Sequence, residues 1–98
     1  MRLLNKKLLF GFKNEHVDAR SQIESWEEEI EEAQWDTPHK LKAKYPKASL
    51  IRNQHVVFNI CGNRYRILVQ ISYKNGIVFI KKIGTHKEYD NWDMGQII

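Results

Sequence analysis

The segment Ile83 to Met94, IGTHKEYDNWDM, concentrates groups that move protons. A strongly apolar stretch, GIVFIKKIG, stops at Gly84, and His86, Lys87, Glu88, Tyr89, Asp90 and Trp92 follow within eight residues. If a helical turn starts after Thr85, whose hydroxyl can cap it, then His86, Tyr89 and Asp90 fall at i, i+3 and i+4 and share a face. A histidine titrates near neutral pH and serves as acid or base. A carboxylate one turn on orients or charges the imidazole, and a tyrosine donates a hydrogen bond or stacks on a base. Lys87 adds positive charge where a phosphate would sit. These groups suit RNA cleavage, which needs a base for the 2′-hydroxyl proton, cations for the charged phosphorus centre and an acid for the leaving oxygen. That chemistry requires no bound cofactor.

The elements that must position this segment are legible in the periodicity. ASLI, HVVFNIC, RYRILVQISY and GIVFIKKIG are rich in β-branched and aromatic residues with period two. Gly62-Asn63 and Asn75-Gly76 separate the last three and are tight-hairpin signals, so an antiparallel meander of three long strands, with a fourth before it, is expected. On RYRILVQISY, Tyr65, Ile67, Val69, Ile71 and Tyr73 point to one face, which should pack on helices. Arg64, Arg66, Leu68, Gln70 and Ser72 point to the other, so Arg64 and Arg66 are expected side by side on a face the helices leave open. Lys81 and Lys82 alternate on the next strand, so only one of them should join the arginines.

Before the sheet the period is helical. A short strand over Met1 to Asn5 and a short helix over KKLLFGFKNEH come first. A longer helix is expected from about Asp18 to Gln34, with Ala19, Ile23, Trp26, Ile30 and Ala33 as its apolar stripe and Asp18 as its cap. Glu24, Glu27, Glu28, Glu29, Glu31 and Glu32 fill its solvated side. DTPHKLKAKYP is a capped helical turn, started near Pro38 and ended by Pro46.

Charge is segregated. Thr37 to Lys87 contains eleven Lys and Arg and no Asp or Glu, while the residues before and after it are net acidic. A one-sided positive field favours a polyanionic partner, and Lys42, Lys44, Lys81, Lys82 and Lys87 are candidate RNA phosphate contacts. With 98 residues, 42% of them hydrophobic, the chain is expected to form one globular domain over residues 1–98. No apolar run approaches the roughly 18 residues of a membrane span, and the N-terminus lacks signal-peptide features, so no membrane association is expected. The single cysteine, Cys61, suits a reducing compartment, and a cytoplasmic location is expected.

Other constellations are weaker. His86 and Asp90 lack a nearby third ligand, so neither a metal nor another cofactor is expected. Cys61 fits a small core residue better than a nucleophile, and His16, His39 and His55 fit surface or satisfied histidines. Trp92 would staple the last turn onto the sheet, and the tail NWDMGQII has no assignable pattern.

LKAKYP, then VVFNICGNRYRILVQI, then FIKKIGTHKEYD resemble the HigB-type toxins of bacterial toxin–antitoxin modules, within the RelE-like group. The resemblance is strong from about Leu41 to Asp90 and extends to the N-terminal helices only in pattern. It implies a type II module toxin, a ribosome-associated endoribonuclease that cuts translated mRNA by metal-independent acid–base catalysis. It also implies a HigA-type helix-turn-helix antitoxin that holds the toxin inactive. The implied fold is α+β and RelE-like, with two to three N-terminal helices packed on a mainly antiparallel sheet of four to five strands. By position, Arg64, Arg66, His86, Tyr89 and Asp90 match the catalytic motif residues, with Lys81 or Lys82 beside them. The alternatives are a non-catalytic RNA- or ribosome-binding protein and a ParE-like gyrase poison. A gyrase poison has no use for an acid–base histidine.

Overall fold

The computed structural model describes residues Met1–Ile98. It begins with β1 (Arg2–Leu4), α1 (Lys7–Glu15), a 3₁₀ turn (Val17–Ala19), α2 (Arg20–Glu32) and α3 (Pro38–Lys44). The meander follows as β2 (Ser49–Ile51), β3 (His55–Ile60), β4 (Tyr65–Ser72) and β5 (Ile77–Thr85). Two single-turn helices, α4 (His86–Tyr89) and α5 (Met94–Ile97), end the chain. No helix is long and apolar enough to cross a membrane.

The expected apolar stripe builds α2: Ile23, Trp26 and Ile30 are buried on it, Ala19 is buried one residue before it, and Ala33 is half-buried one residue after it. Its start differs from expectation. Asp18 caps no helix: it lies in the 3₁₀ turn, and its carboxylate accepts hydrogen bonds from the Tyr65 hydroxyl and the Arg64 guanidinium. The Met1 amino group donates to the carbonyls of Ile30, Glu31 and Ala33, which satisfies the C-terminal end of α2. The acidic side of α2 is only partly solvated, because Lys13 reaches Glu24 and Glu27, Lys6 reaches Glu31, and the Tyr45 hydroxyl donates to Glu29. Helix α3 starts as expected, with Thr37 accepting the Lys40 backbone N–H and Pro38 in the first turn.

The strand order is β1-β5-β4-β3-β2, with β2 to β5 antiparallel and β1 parallel to β5. The sheet is therefore mixed, with five strands, and two short helices follow it in addition to the N-terminal ones. Pairing of Ile60 with Tyr65 and of Ser72 with Ile77 makes each of the last two hairpin loops four residues long, not two. Cys61 and Gly62 carry positive φ in the first loop.

One core fills the space between the helices and one sheet face. Leu9, Phe12, Ile23, Trp26, Ile30 and Leu41 meet Val56, Phe58, Ile67, Val69, Ile71, Val78 and Ile80. Each such aliphatic side chain, fully buried, contributes roughly 1.5–3 kcal/mol before conformational entropy is subtracted. The opposite face is not fully open. Val57 and Leu68 are buried there, outside the main core. The tail is tied down beside them: Lys81 donates to the Ile97 carbonyl and Asn53 to that of Ile98.

Candidate active site

Strand β5 hands over to α4 through a capping box. The Thr85 hydroxyl accepts the Glu88 N–H at 3.1 Å, and the Glu88 carboxylate accepts the Thr85 N–H at 2.8 Å. The bond from the Thr85 N–H holds the Glu88 carboxyl below its ordinary value. Next, the His86 N–H donates to the Arg64 carbonyl at 2.7 Å, which fixes α4 to the start of β4. The turn brings His86 and Asp90 together as their spacing predicts, Nδ1 to Oδ2 at 3.2 Å, with both side chains about half exposed. This contact occupies Nδ1 and leaves Nε2 as the nitrogen placed to exchange a proton.

Arg66 faces away from the helices and is only 9% exposed. Its Nη1 donates to the Asn63 carbonyl at 2.6 Å, and its Cζ lies 5.2 Å from the centre of the Tyr89 ring. Nε and Nη2 have no hydrogen-bond partner in the chain and remain for an anion. Tyr89 in turn meets Trp92 edge to face, at 5.4 Å and 81°. Gly84, the cross-strand neighbour of Arg66, supports Trp92: a Cβ there would lie 3.0 Å from the indole Cζ2. Trp92 therefore does staple this turn to the sheet. No group of three or more His, Cys, Asp or Glu side chains converges in a way that could hold a metal ion.

Arg64 departs from the expected placement. It is the last loop residue before β4, so strand alternation does not govern it, and its guanidinium turns to the helix side to pair with Asp18 at 3.0 Å. The two arginines are not side by side. The lysines depart too, for a different reason. A β-bulge between the Leu68–Lys82 and Val69–Ile80 pairs leaves Lys81 without a partner. Lys81 and Lys82 therefore reach the same face, where Lys82 lies 5.5 Å from the centre of the Trp92 ring. Lys81 donates to His55 Nε2 at 2.9 Å. Lys87 is exposed on α4, beside the site. Lys42 and Lys44 belong to the helix layer: Lys42 donates to the Ala48 carbonyl, and Lys44 borders a hollow with Glu29, Glu32 and Trp35.

His55, expected to be a surface or satisfied histidine, is the satisfied kind. It is 2% exposed, its Nδ1 lies 3.2 Å from the Arg52 carbonyl, and its Nε2 meets Lys81. Burial first, and the Lys81 charge after it, push its pKa down. The Lys81 ammonium can only donate, so Nε2 accepts from it and Nδ1–H donates to the Arg52 carbonyl. Its only sequence signal was a histidine at a strand start, and the bulge that delivers Lys81 to it has none. The largest surface hollow, about 540 Å³, is lined by Asp36, Leu50, Gln54, His55 and Tyr73 and contains neither His86 nor Tyr89. The charged surface at α4 lies outside that hollow and is open to solvent.

Residues 19–92 match the family model of the HigB toxin, described as the RelE-like toxic component of a toxin–antitoxin system. The mRNA interferase toxin HigB of Escherichia coli is 26% identical over 92 residues, covering 92% of this chain and 88% of that protein. The mRNA interferase HigB of Shigella flexneri matches to the same extent. A further mRNA interferase HigB, from another Escherichia coli strain, is 32% identical over 63 residues, covering 62% of this chain and 61% of that one.

Proposed function

Because the chain belongs to the HigB toxins, the RelE-like toxic components of toxin–antitoxin systems, we propose that it is an endoribonuclease that cuts mRNA. The observation that carries this reading is α4 itself. One helical turn, locked by a capping box and bonded to the start of β4, holds the His86–Asp90 pair and lays Tyr89 over Arg66.

In the proposed reaction His86 takes the proton of a 2′-hydroxyl through Nε2, and Asp90 stabilises the imidazolium through Nδ1–H. The freed 2′-oxygen attacks the adjacent phosphorus, and the bond to the 5′-oxygen breaks. The products are a 2′,3′-cyclic phosphate and a 5′-hydroxyl, the leaving oxygen having taken a proton from the Tyr89 hydroxyl or from solvent. Arg66 stabilises the extra charge on the phosphoryl oxygens with the donors it has left, and Lys82 and Lys87 attract flanking phosphates. Arg64, exposed at the edge, steers the strand rather than contacting the reacting phosphorus. The chain's acid, base and cations, together with solvent, supply every proton and charge these steps need.

The substrate in this reading is mRNA on a translating ribosome in the cytoplasm. The partner is a HigA-type helix-turn-helix antitoxin that neutralises the basic field or blocks ribosome entry. Protein added to a translating extract should generate new mRNA ends that carry 5′-hydroxyls, mapped by primer extension. Ends absent with the wild-type protein, or equally abundant with a folded Arg66→Ala variant, would overturn the reading.

A further inference from the structure

Trp92 takes no part in the steps above, yet the chain builds a seat for it. The glycine at position 84 leaves room that any side chain would fill, 3.0 Å from the indole. From this seat the indole stands at 81° to the Tyr89 ring, with centres 5.4 Å apart. The Lys82 ammonium lies 5.5 Å from the Trp92 ring centre, and Arg66 lies 5.2 Å from that of Tyr89. The contacts run from cation to ring to ring to cation. Both rings are half-buried, whereas Trp26 and Trp35 are sealed in the core.

Two aromatic planes meeting near a right angle form a corner that receives a flat ring, stacked on one wall and in edge contact with the other. The cation against each ring matches a phosphate next to such a base in a nucleic-acid strand. We propose that the Tyr89–Trp92 corner holds one unstacked nucleobase beside the phosphate that is cut, making Trp92 a specificity-determining residue. This rests on the RNA-cleaving reading given above. Lys82 and Gly84 act through Trp92: the lysine by charge at the rim, the glycine by admitting the indole.

The test is Trp92→Leu, which keeps apolar packing over Gly84 but removes the stacking plane, with Trp92→Phe as the conservative variant. Trp92→Leu is expected to raise the half-saturating RNA concentration about tenfold to a hundredfold, the range that loss of one stacked base produces. The maximal rate should change less, the cut positions on a translated mRNA should spread to other bases, and Trp92→Phe should recover most of the loss. Unchanged cut positions and half-saturation in Trp92→Leu would overturn the proposal. So would a loss that merely follows the unfolded fraction and is not recovered by Trp92→Phe. A second measurement keeps the two readings apart: indole fluorescence during titration with a short single-stranded RNA. Quenching in the wild type that disappears in Trp92→Phe supports the corner even if the protein cuts no RNA, in which case the cleavage reading alone fails. Cleavage by the wild type with Trp92→Leu indistinguishable from it removes the corner and leaves the cleavage reading standing.

Discussion

Arg64 and Arg66 are chemically identical and two positions apart, but the fold separates their work. Arg66 is nearly buried, pinned to Asn63 and stacked under Tyr89, so its orientation is set before any phosphate arrives. Arg64 is 70% exposed and shares an ion pair with Asp18, and such surface pairs are worth little. Arg66→Ala should therefore lower cleavage by about 10²–10³-fold, as loss of a preorganised donor to the transition state does. Arg64→Ala should lower it by no more than about tenfold, since a rim charge mainly affects encounter. Equal losses in single-turnover assays would contradict this ranking. Spacing alone paired His86 with Asp90 and put Tyr89 on the same turn, because an α-helix fixes i, i+3 and i+4 neighbours. Arg64 was misplaced because alternation applies only inside a strand, and the strand begins one residue later.

At the scale of elements, α4 is too short to be stable alone, and its capping box holds it. Thr85→Ala should cost about 0.5–2 kcal/mol of local stability. Amide exchange should then rise across His86–Asp90 while the β4 amides stay protected, and cleavage should fall with the population of formed α4. Unaltered exchange in α4 would show that the cap is not what holds it. Thr85 made the cap legible, while the Glu88 half of the box came from the structure. The bulge at Lys81 was not, since it depends on how two strands settle against each other, and the sequence Lys81-Lys82 is neutral on that point. The buried pair it creates has a pH signature. Because the folded-state pKa of His55 is lowered, the unfolded chain binds a proton that the native one refuses. Stability should fall as pH drops through about 6.5 and level off below the folded value. Urea unfolding across about pH 5–8 checks this, with His55→Gln expected to lose that part of the slope. An identical slope in the variant would rule out His55 as its source.

Charge that is segregated along the chain is only partly segregated between layers, since Lys42 and Lys44 lie in the helix layer with acidic α2 and Arg64 turns toward it. Acidic α2 is partly neutralised by Lys6 and Lys13, while Arg66, Lys82 and Lys87 serve the opposite face. Affinity for RNA should fall with salt at a logarithmic slope of about 0.7 per phosphate contact, and Lys82→Ala should remove about one contact's share. A slope insensitive to that change would place the phosphates elsewhere. The segregation along the chain was legible because charge is carried by residue type, whereas its division between the two layers was not. The tethering of the tail to the second face was not, because Lys81 and Asn53 bind the main-chain carbonyls of Ile97 and Ile98, which have no side-chain signature.

Acid–base cleavage by α4 is tested most directly with His86→Ala, assayed for cleavage of translated mRNA beside the wild type at matched ribosome occupancy. A folded variant that still binds ribosomes but cuts about 10²–10⁴-fold more slowly is the expected result, since proton transfer acts in the transition state. Full cleavage by that variant would remove His86 from the mechanism and contradict the central claim.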